Sequence, residues 1–357
     1  MQETADGSAG DDGWPTARPE EAGMDAATLA GLAPQFEAWP EAKLHAALIL
    51  RHGKVVYERY FAADDMAFAV PLGRVDYHAG LTHDLRSITK SITSLLIGAA
   101  IDRGLIADID VSVFDFFPDH ADLRSKEKQQ ITLRHLLTMS AGLEWNESIP
   151  YSDPANSERQ MIEAADRCRY VLERPVVRPA GASYNYSGGT TMLLANVLKR
   201  VSGRPADELA REWLFDPLGI VEVEWVRYRD GTPMAASGLR MRPRDLAKIG
   251  QLVLDAGLWH GQRVVSGGWI SESTRAHING EGLFFYGYQW WLGRSLIKRR
   301  EIRWIAGFGW GGQRLFVVPD HDLVVVVMAG LYGDPFLQAL PGEVVLRRYA
   351  LSSVISD

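Results

Sequence analysis

Ser87 and Lys90 stand three residues apart in LRSITKSITSLLIGAAIDRG, residues 85–104. On a helix that spacing puts a hydroxyl and an amine on one face, about one turn apart. Withdrawal from water disfavours the ammonium form and lowers a lysine pKa from about 10.4. An amine so placed can take the proton of a neighbouring serine, which then attacks a carbonyl carbon. A helix N-terminus adds backbone N–H donors and a positive dipole end where an oxyanion would develop. The competing reading is structural, with Ser87 opening the helix and Lys90 extending to solvent.

Spacing alone does not decide between them. Ser-x-x-Lys recurs at Ser125/Lys128 in LRSKEKQQ and at Ser295/Lys298 in GRSLIKRR, both charged stretches expected at the surface. Only the Ser87 copy runs on into an apolar face of Ile88, Ile92, Leu95, Leu96 and Ala99. Ser91, Ser94 and Gly98 continue the Ser87/Lys90 stripe with small residues. A helix apolar or small nearly all round belongs in an interior.

Other chemistries find less support. No G-x-S-x-G marks a Ser-His-Asp hydrolase. The single cysteine, Cys168 in DRCRYVLE, allows no internal disulfide and reads as a core or half-buried mid-helix thiol. Among nine histidines, His78 and His83 are five apart without a third partner, so neither a metal centre nor a cofactor is expected. The net charge of −7 argues against nucleic acid and anionic membrane as partners, and Lys298-Arg299-Arg300 reads as a solvated turn. MQETADGSAGDDGW lacks the apolar segment of a secretory signal and reads as part of a disordered leader over 1–20. Leu323 to Leu331 is too short an apolar run to span a bilayer. A soluble cytoplasmic protein is the expectation.

The elements that must position Ser87 and Lys90 follow from pattern. Asp25 caps a helix carrying Leu29, Leu32 and Phe36. HAALILRHGKVVYERYF is a hairpin turning at His52-Gly53. The Ser87 helix stops at Gly104. From about 115 to 225 the pattern is helical, and Pro243 opens a further helix in RPRDLAKIGQLVLDAG. QRLFVV and LVVVVMAG flank a turn at Pro319–Asp322, and a helical segment follows Pro341. Strands at both ends and helices between them predict an α/β (α+β) fold. An antiparallel sheet domain is expected from 21–114 and 226–357, with a helical insertion over 115–225. An active site would lie at the seam.

The chain resembles the serine β-lactamase and penicillin-binding-protein superfamily, in its class C β-lactamase-related branch of esterases and 6-aminohexanoate-dimer hydrolases. The resemblance runs from about residue 20 to the end. It is carried by DLRSITKSITSLLIG, ITLRHLLTMSAGLEW, PAGASYNYSGGTTMLLANVLKRVSG, AASGLRMRPRDLAKIG, YGYQWWL and GFGWGGQRLFVVPDHDLVVVV. It implies a β-lactamase/transpeptidase-like fold and an acyl-enzyme on Ser87. The family's Tyr-x-Asn corresponds to Tyr186-Ser187-Gly188. The resemblance therefore implies Tyr186 as proton carrier beside Ser87 and Lys90, with its pKa lowered by the cation; Tyr184 is the reserve. The third motif, usually Lys-Thr-Gly, corresponds to Gly307-Phe308-Gly309. The N–H groups of Ser87 and Trp310 would hold the oxyanion, and Gly188, Gly309, Phe308 and Tyr151 would meet the substrate.

Two departures shape the expected substrate. No lysine stands in the third motif, and no asparagine at Gly188. In β-lactamases these groups hold the carboxylate and acylamino arm, so a carboxylic ester or small linear amide is favoured. β-Lactamase or D-alanyl-D-alanine peptidase activity is the alternative, and a non-catalytic binding protein the second. An aromatic pocket is expected from Phe284, Phe285, Tyr286, Tyr288, Trp290, Trp291, Phe308 and Trp310. The partner is a small-molecule ester, amide or lactam; the oligomeric state is not legible.

Overall fold

The computed structural model describes residues 14–355. Of the expected leader, residues 1–13 lie outside the described residues. Residues 14–20 are placed, which corrects the leader's extent. The Trp14 indole donates to the Gly53 carbonyl at 2.9 Å, Thr16 bridges to Val55, and a short helix starts at Pro19. A large apolar ring supplies the burial that an acidic composition argument overlooked.

Eight antiparallel strands form the main sheet, in the order Ile278–Asn279, Phe285–Tyr286, Trp291–Ile297, Arg300–Gly309, Gln313–Val318, Leu323–Ala329, Leu44–Arg51 and Lys54–Tyr60. The amino-terminal hairpin joins the carboxy-terminal strands directly, with Ala46 opposite Met328 and Leu50 opposite Val324. Its turn falls at His52 (φ 52°) and Gly53 (φ 68°), two left-handed residues as a two-residue hairpin needs. Lys298 (φ 49°) and Arg299 (φ 68°) make the same kind of turn, so the basic run is a solvated hairpin tip.

Alternation along the central strands assigns each face a cover. Ala46, Leu48, Leu50, Val324, Val326 and Met328 face one core; Ala47, Ile49, Val325, Val327 and Phe316 face the other. The second face is covered by the helices Ala26–Ala30 and Leu32–Glu37 and by the segment Val344–Leu351, through Leu29, Leu32, Phe36, Leu346 and Tyr349. Against the first face lie the helices Ile88–Asp102 and Pro243–Leu254. A Cβ at Gly250 would stand 2.6 Å from Val324, so the second of these helices rests on the strand itself.

The Ile88–Asp102 helix is buried from Ile88 to Ala100. Its far side packs on the Gly188–Ser202 and Ala206–Ala210 helices, and all of these side chains belong to one continuous apolar cluster. The helix is thus a shared wall between sheet and helical region. Gly98 permits the packing: a Cβ there would stand 2.2 Å from the Trp269 ring. Gly104 (φ 71°) ends the helix in the left-handed region. Among the described residues, no helix is long and apolar enough to cross a membrane.

Candidate active site

The lead-in to Ser87 is held before the helix begins. His83–Asp84 pairs with Leu239–Met241, and the Leu85 N–H donates to the Leu239 carbonyl at 2.9 Å. Arg86 takes φ 49°, unusual for a residue with a side chain, and pairs with Asp84 at 3.1 Å. Ser87 then stands at the N-cap, half-buried, while Lys90 is 2% exposed. Lys90 Nζ lies 3.0 Å from Ser87 Oγ and donates to the Ala236 carbonyl at 3.0 Å. The segment Ala235–Leu239 is stitched to the same helix face, since Thr93 donates to the Ala235 carbonyl and the Leu239 N–H donates to Thr89 Oγ1.

Tyr186 arrives from the far side of the helix. Ser187 caps the Gly188–Ser202 helix, its Oγ accepting the Thr190 N–H at 3.3 Å. Ahead of it, the Asn185 N–H donates to the carbonyl of Met139, itself at φ 55°. The Tyr186 ring lies 4.7 Å from Lys90 Nζ, and its hydroxyl is near enough to Ser87 for the serine to ease its ionisation. The structure therefore brings Ser87, Lys90 and Tyr186 together. Tyr184 is directed elsewhere, packing edge-on against Tyr286 and Trp291 with its hydroxyl buried and unpartnered.

The expected lowering of the Tyr186 pKa is corrected. Burial pushes the phenol well above its usual 10, and the Glu147 carboxylate adds to the rise; the nearby Ser87 opposes both. Glu147 lies 39 positions earlier in the chain, and nothing in local spacing linked the two. Its Oε2 accepts the Gly188 N–H at 2.6 Å and the Trp145 indole N–H at 2.7 Å. Burial and the neighbouring Glu158 carboxylate push Glu147 up to about 7, against the pull of Lys90. Glu158 is 5% exposed and accepts the hydroxyl of Tyr151, which is thereby brought beside Gly188. A Cβ on Gly188 would meet Glu158 Oε1 at 2.6 Å and Glu147 Oε2 at 3.3 Å. Two acidic side chains thus fill the ground where the expected motif would carry an amide.

The third motif runs along the helix head. Gly307 lies against Ile88 and Ser91, and a Cβ at Gly309 would stand 2.3 Å from the Leu85 carbonyl oxygen. Only glycine admits that approach. Trp310 follows, 44% exposed, its indole donating to the Tyr332 carbonyl. The buried Gln313 clamps this turn, donating to the carbonyls of Trp310 and Ala329 and accepting the Ala329 N–H. The nearby Arg314 donates to the Gly309 carbonyl at 3.1 Å and stacks on Phe308; burial pulls its guanidinium down to about 10.

The aromatic expectation divides along the strand. Trp291 stacks on Tyr186 and on Phe308, with Phe284 and Tyr286 packed edge-on around it. Tyr288 and Trp290, in the turn between the Phe285–Tyr286 and Trp291–Ile297 strands, point into the other core and do not line this cluster. Phe285 sits under Arg294. Gln289 (φ 63°) between them accepts the Thr191 hydroxyl, donates to the carbonyls of Leu136 and Leu137, and takes the Ser91 hydroxyl on its own carbonyl. Sequence reasoning missed Gln289, Glu147, Glu158 and the Ala236 carbonyl, although Gln289 and Ala236 lie inside the quoted motifs.

The other candidates resolve simply. Ser125 Oγ caps the Lys128 N–H, and Lys128 Nζ goes to the Leu172 carbonyl. Ser295 is buried, accepting the Trp304 indole N–H rather than standing at the surface. Cys168 lies in the first turn of the Arg167–Glu173 helix, not in mid-helix, and burial pushes its thiol up to about 12.

The β-lactamase family model matches residues 20–343. The chain belongs to the β-lactamase family. A 6-aminohexanoate-dimer hydrolase of Paenarthrobacter ureafaciens is 27% identical over 315 residues, covering 81% of this chain and 72% of its own length. A lovastatin esterase of Penicillium rubens is 26% identical over 223 residues, 57% of this chain and 51% of that one. The solved structure of EstCE1, a hydrolase with promiscuous acyltransferase activity, superposes with a TM-score of 0.70 at 15% identity, covering 93% and 98% of the two chains. The fold is β-lactamase/transpeptidase-like, and the family and relatives support a hydrolase of this superfamily.

Proposed function

We propose that this family member is a serine hydrolase that cleaves carboxylic esters and small linear amides through an acyl-enzyme on Ser87. The observation that carries the reading is Lys90 Nζ, 3.0 Å from Ser87 Oγ and 2% exposed, with the Tyr186 ring 4.7 Å from the same amine. Ser87 Oγ attacks the carbonyl carbon and Lys90, as the amine, receives the proton. Tyr186, protonated at rest, hands its proton to the leaving alcohol or amine as the C–O or C–N bond breaks and is reprotonated by Lys90, which returns to the amine. Water then attacks the acyl carbon, its proton passing back through the same groups, and the acid leaves. The N–H groups of Ser87 and Trp310 stabilise each oxyanion, a contribution on the order of 3 kcal/mol per donor.

The substrate class follows from charge. Glu147 and Glu158 fill the space beside Gly188 and place a negative field next to Tyr186. Arg314 is spent on backbone carbonyls. A substrate carboxylate, as a β-lactam carries, would meet that negative field where the family's second motif offers an amide, and would find no lysine in the third motif. The test is a turnover panel of p-nitrophenyl butyrate, a linear amide dimer and nitrocefin, with Ser87→Ala as blank. The expected outcome is ester or amide cleavage abolished in the variant, with nitrocefin slow or untouched. Rapid nitrocefin turnover contradicts the substrate class, and retained ester turnover in Ser87→Ala contradicts the nucleophile.

A further inference from the structure

A second polar cluster lies behind the lead-in to Ser87. His45, on the Leu44–Arg51 strand, and His83 are 0% and 1% exposed, and Asp65, on the Ala62–Ala67 strand, is 8% exposed. His45 Nδ1 and His83 Nε2 face each other at 2.8 Å. Asp65 Oδ1 lies 3.9 Å from the first nitrogen and Oδ2 3.6 Å from the second. Oδ2 accepts the Tyr77 hydroxyl, whereas Oδ1 is buried without a hydrogen-bond partner.

The outer nitrogens fix the tautomers. His45 Nε2 faces the Asp64 carbonyl at 3.2 Å, and His83 Nδ1 faces the Asp84 carbonyl at 3.0 Å. A carbonyl only accepts, so both outer nitrogens carry hydrogen. Two neutral rings therefore turn lone pairs on each other, and something electrophilic must stand between them. A proton would join the rings and leave Asp65 Oδ1 bare. A divalent cation satisfies both nitrogens and the carboxylate at once. The outward N–H-to-carbonyl bonds are also the second-shell arrangement of histidine metal ligands.

We propose that His45 Nδ1, His83 Nε2 and the Asp65 carboxylate form a buried structural site for a divalent cation of the zinc class. Tetrahedral bonds of about 2.0–2.1 Å to nitrogen and oxygen put ligand atoms about 3.3 Å apart. The two nitrogens stand 2.8 Å apart, and each has a different Asp65 oxygen at 3.6 or 3.9 Å, so filling the site needs the rings to part by about half an ångström and one carboxylate oxygen to turn between them. Tyr77, stacked on His45 at 4.6 Å, donates its hydroxyl to Asp65 Oδ2 and so holds the carboxylate toward the two rings. Gly330 makes room for the ligand ring, since a Cβ there would stand 2.8 Å from His45 Cε1. From sequence His83 was paired with His78, which accepts the Gly80 N–H instead. The ligands come from three separate strands, so no linear spacing rule finds them. The cation would pin the Ala62–Asp76 hairpin and the His83–Asp84 strand to the main sheet, four residues before Ser87.

Metal content of the full chain, expressed with zinc and purified without chelator, is the first measurement. The site predicts about one zinc per chain, lost at least tenfold in Asp65→Asn and His83→Gln. Because these variants can fail to fold, the wild-type chain is also unfolded and refolded with a chelator, with Zn2+ or with Co2+. Zinc is expected to raise the melting temperature by several degrees over the chelated sample, and cobalt to give the visible absorption of a tetrahedral nitrogen–oxygen site. Wild-type chain that recovers metal-free, with melting unchanged by zinc and no cobalt absorption, overturns the site in favour of a shared proton. Zinc bound equally by both variants also overturns it.

Discussion

Tyr186 and Tyr184 are two residues apart and do different things. Tyr186 touches Ser87 and Lys90; the Tyr184 hydroxyl is buried without a partner. Tyr186→Phe should therefore lower kcat by about 10²–10⁴, the usual worth of general acid–base catalysis. Tyr184→Phe should leave kcat unchanged and, by removing an unsatisfied buried hydroxyl, leave stability equal or higher. Steady-state kinetics and urea melts on the pair check this; equal losses of kcat would contradict the assignment. Glu147 gives a pH signature. Its folded-state pKa is raised from about 4.5 to about 7, so the folded chain holds a proton that the unfolded chain has released. Its contribution is thus full below about pH 4.5 and is lost as pH rises through 7, on the order of 3 kcal/mol in all. Glu147→Gln keeps an acceptor for Gly188 and Trp145 without that loss. Its stability relative to the parent should rise between pH 5 and pH 8, measured by denaturant titration; a constant difference would contradict the shift. The phenol shift was misread from sequence because Lys90 is visible in a motif, whereas the full burial that chiefly raises it, and Glu147, are not.

At the scale of elements, the Ser87 helix was legible because its apolar face, its small-residue stripe and its terminal glycine all point one way. The hairpin turns at His52-Gly53 and Pro319–Asp322 were legible for the same reason. What was not legible is the set of connections that fix the helix. The Ala236 carbonyl, the Gln289 amide and the Met139 carbonyl act through backbone atoms or buried hydrogen bonds, which leave no periodicity. Aromatic residues in FFYGYQWW are shared between two cores by the turn around Gln289, so composition named a pocket that the turn divides. Gly98 is where helix propensity and packing oppose each other. Gly98→Ala gains up to about 1 kcal/mol of propensity, yet drives a methyl to 2.2 Å from the Trp269 ring. Overpacking costs about 1–3 kcal/mol, so net destabilisation is expected in chemical denaturation. A more stable Gly98→Ala would mean that Trp269 is freer to move than its packing indicates.

Across the whole molecule, both ends of the chain complete one sheet, and a single apolar cluster continues from its face through the Ser87 helix into the helical region. That arrangement presents a helix mouth at a seam, with Ser87 half-buried over a buried amine. Strands at both ends of the sequence forecast the sheet, but not the eight-strand order or the contact of residues 14–20 with it. The His45–Asp65–His83 cluster was invisible for a related reason, since its parts come from three separate sheets that only the assembled fold brings together. The central claim is that the seam turns one hydroxyl into a nucleophile, and covalent capture tests it most directly. Brief treatment of the wild-type chain with a fluorophosphonate, followed by peptide mass spectrometry, should place one adduct on Ser87, with none formed in Ser87→Ala and labelling slowed by orders of magnitude in Lys90→Ala. An adduct on another residue, or labelling that survives Ser87→Ala, would contradict the account.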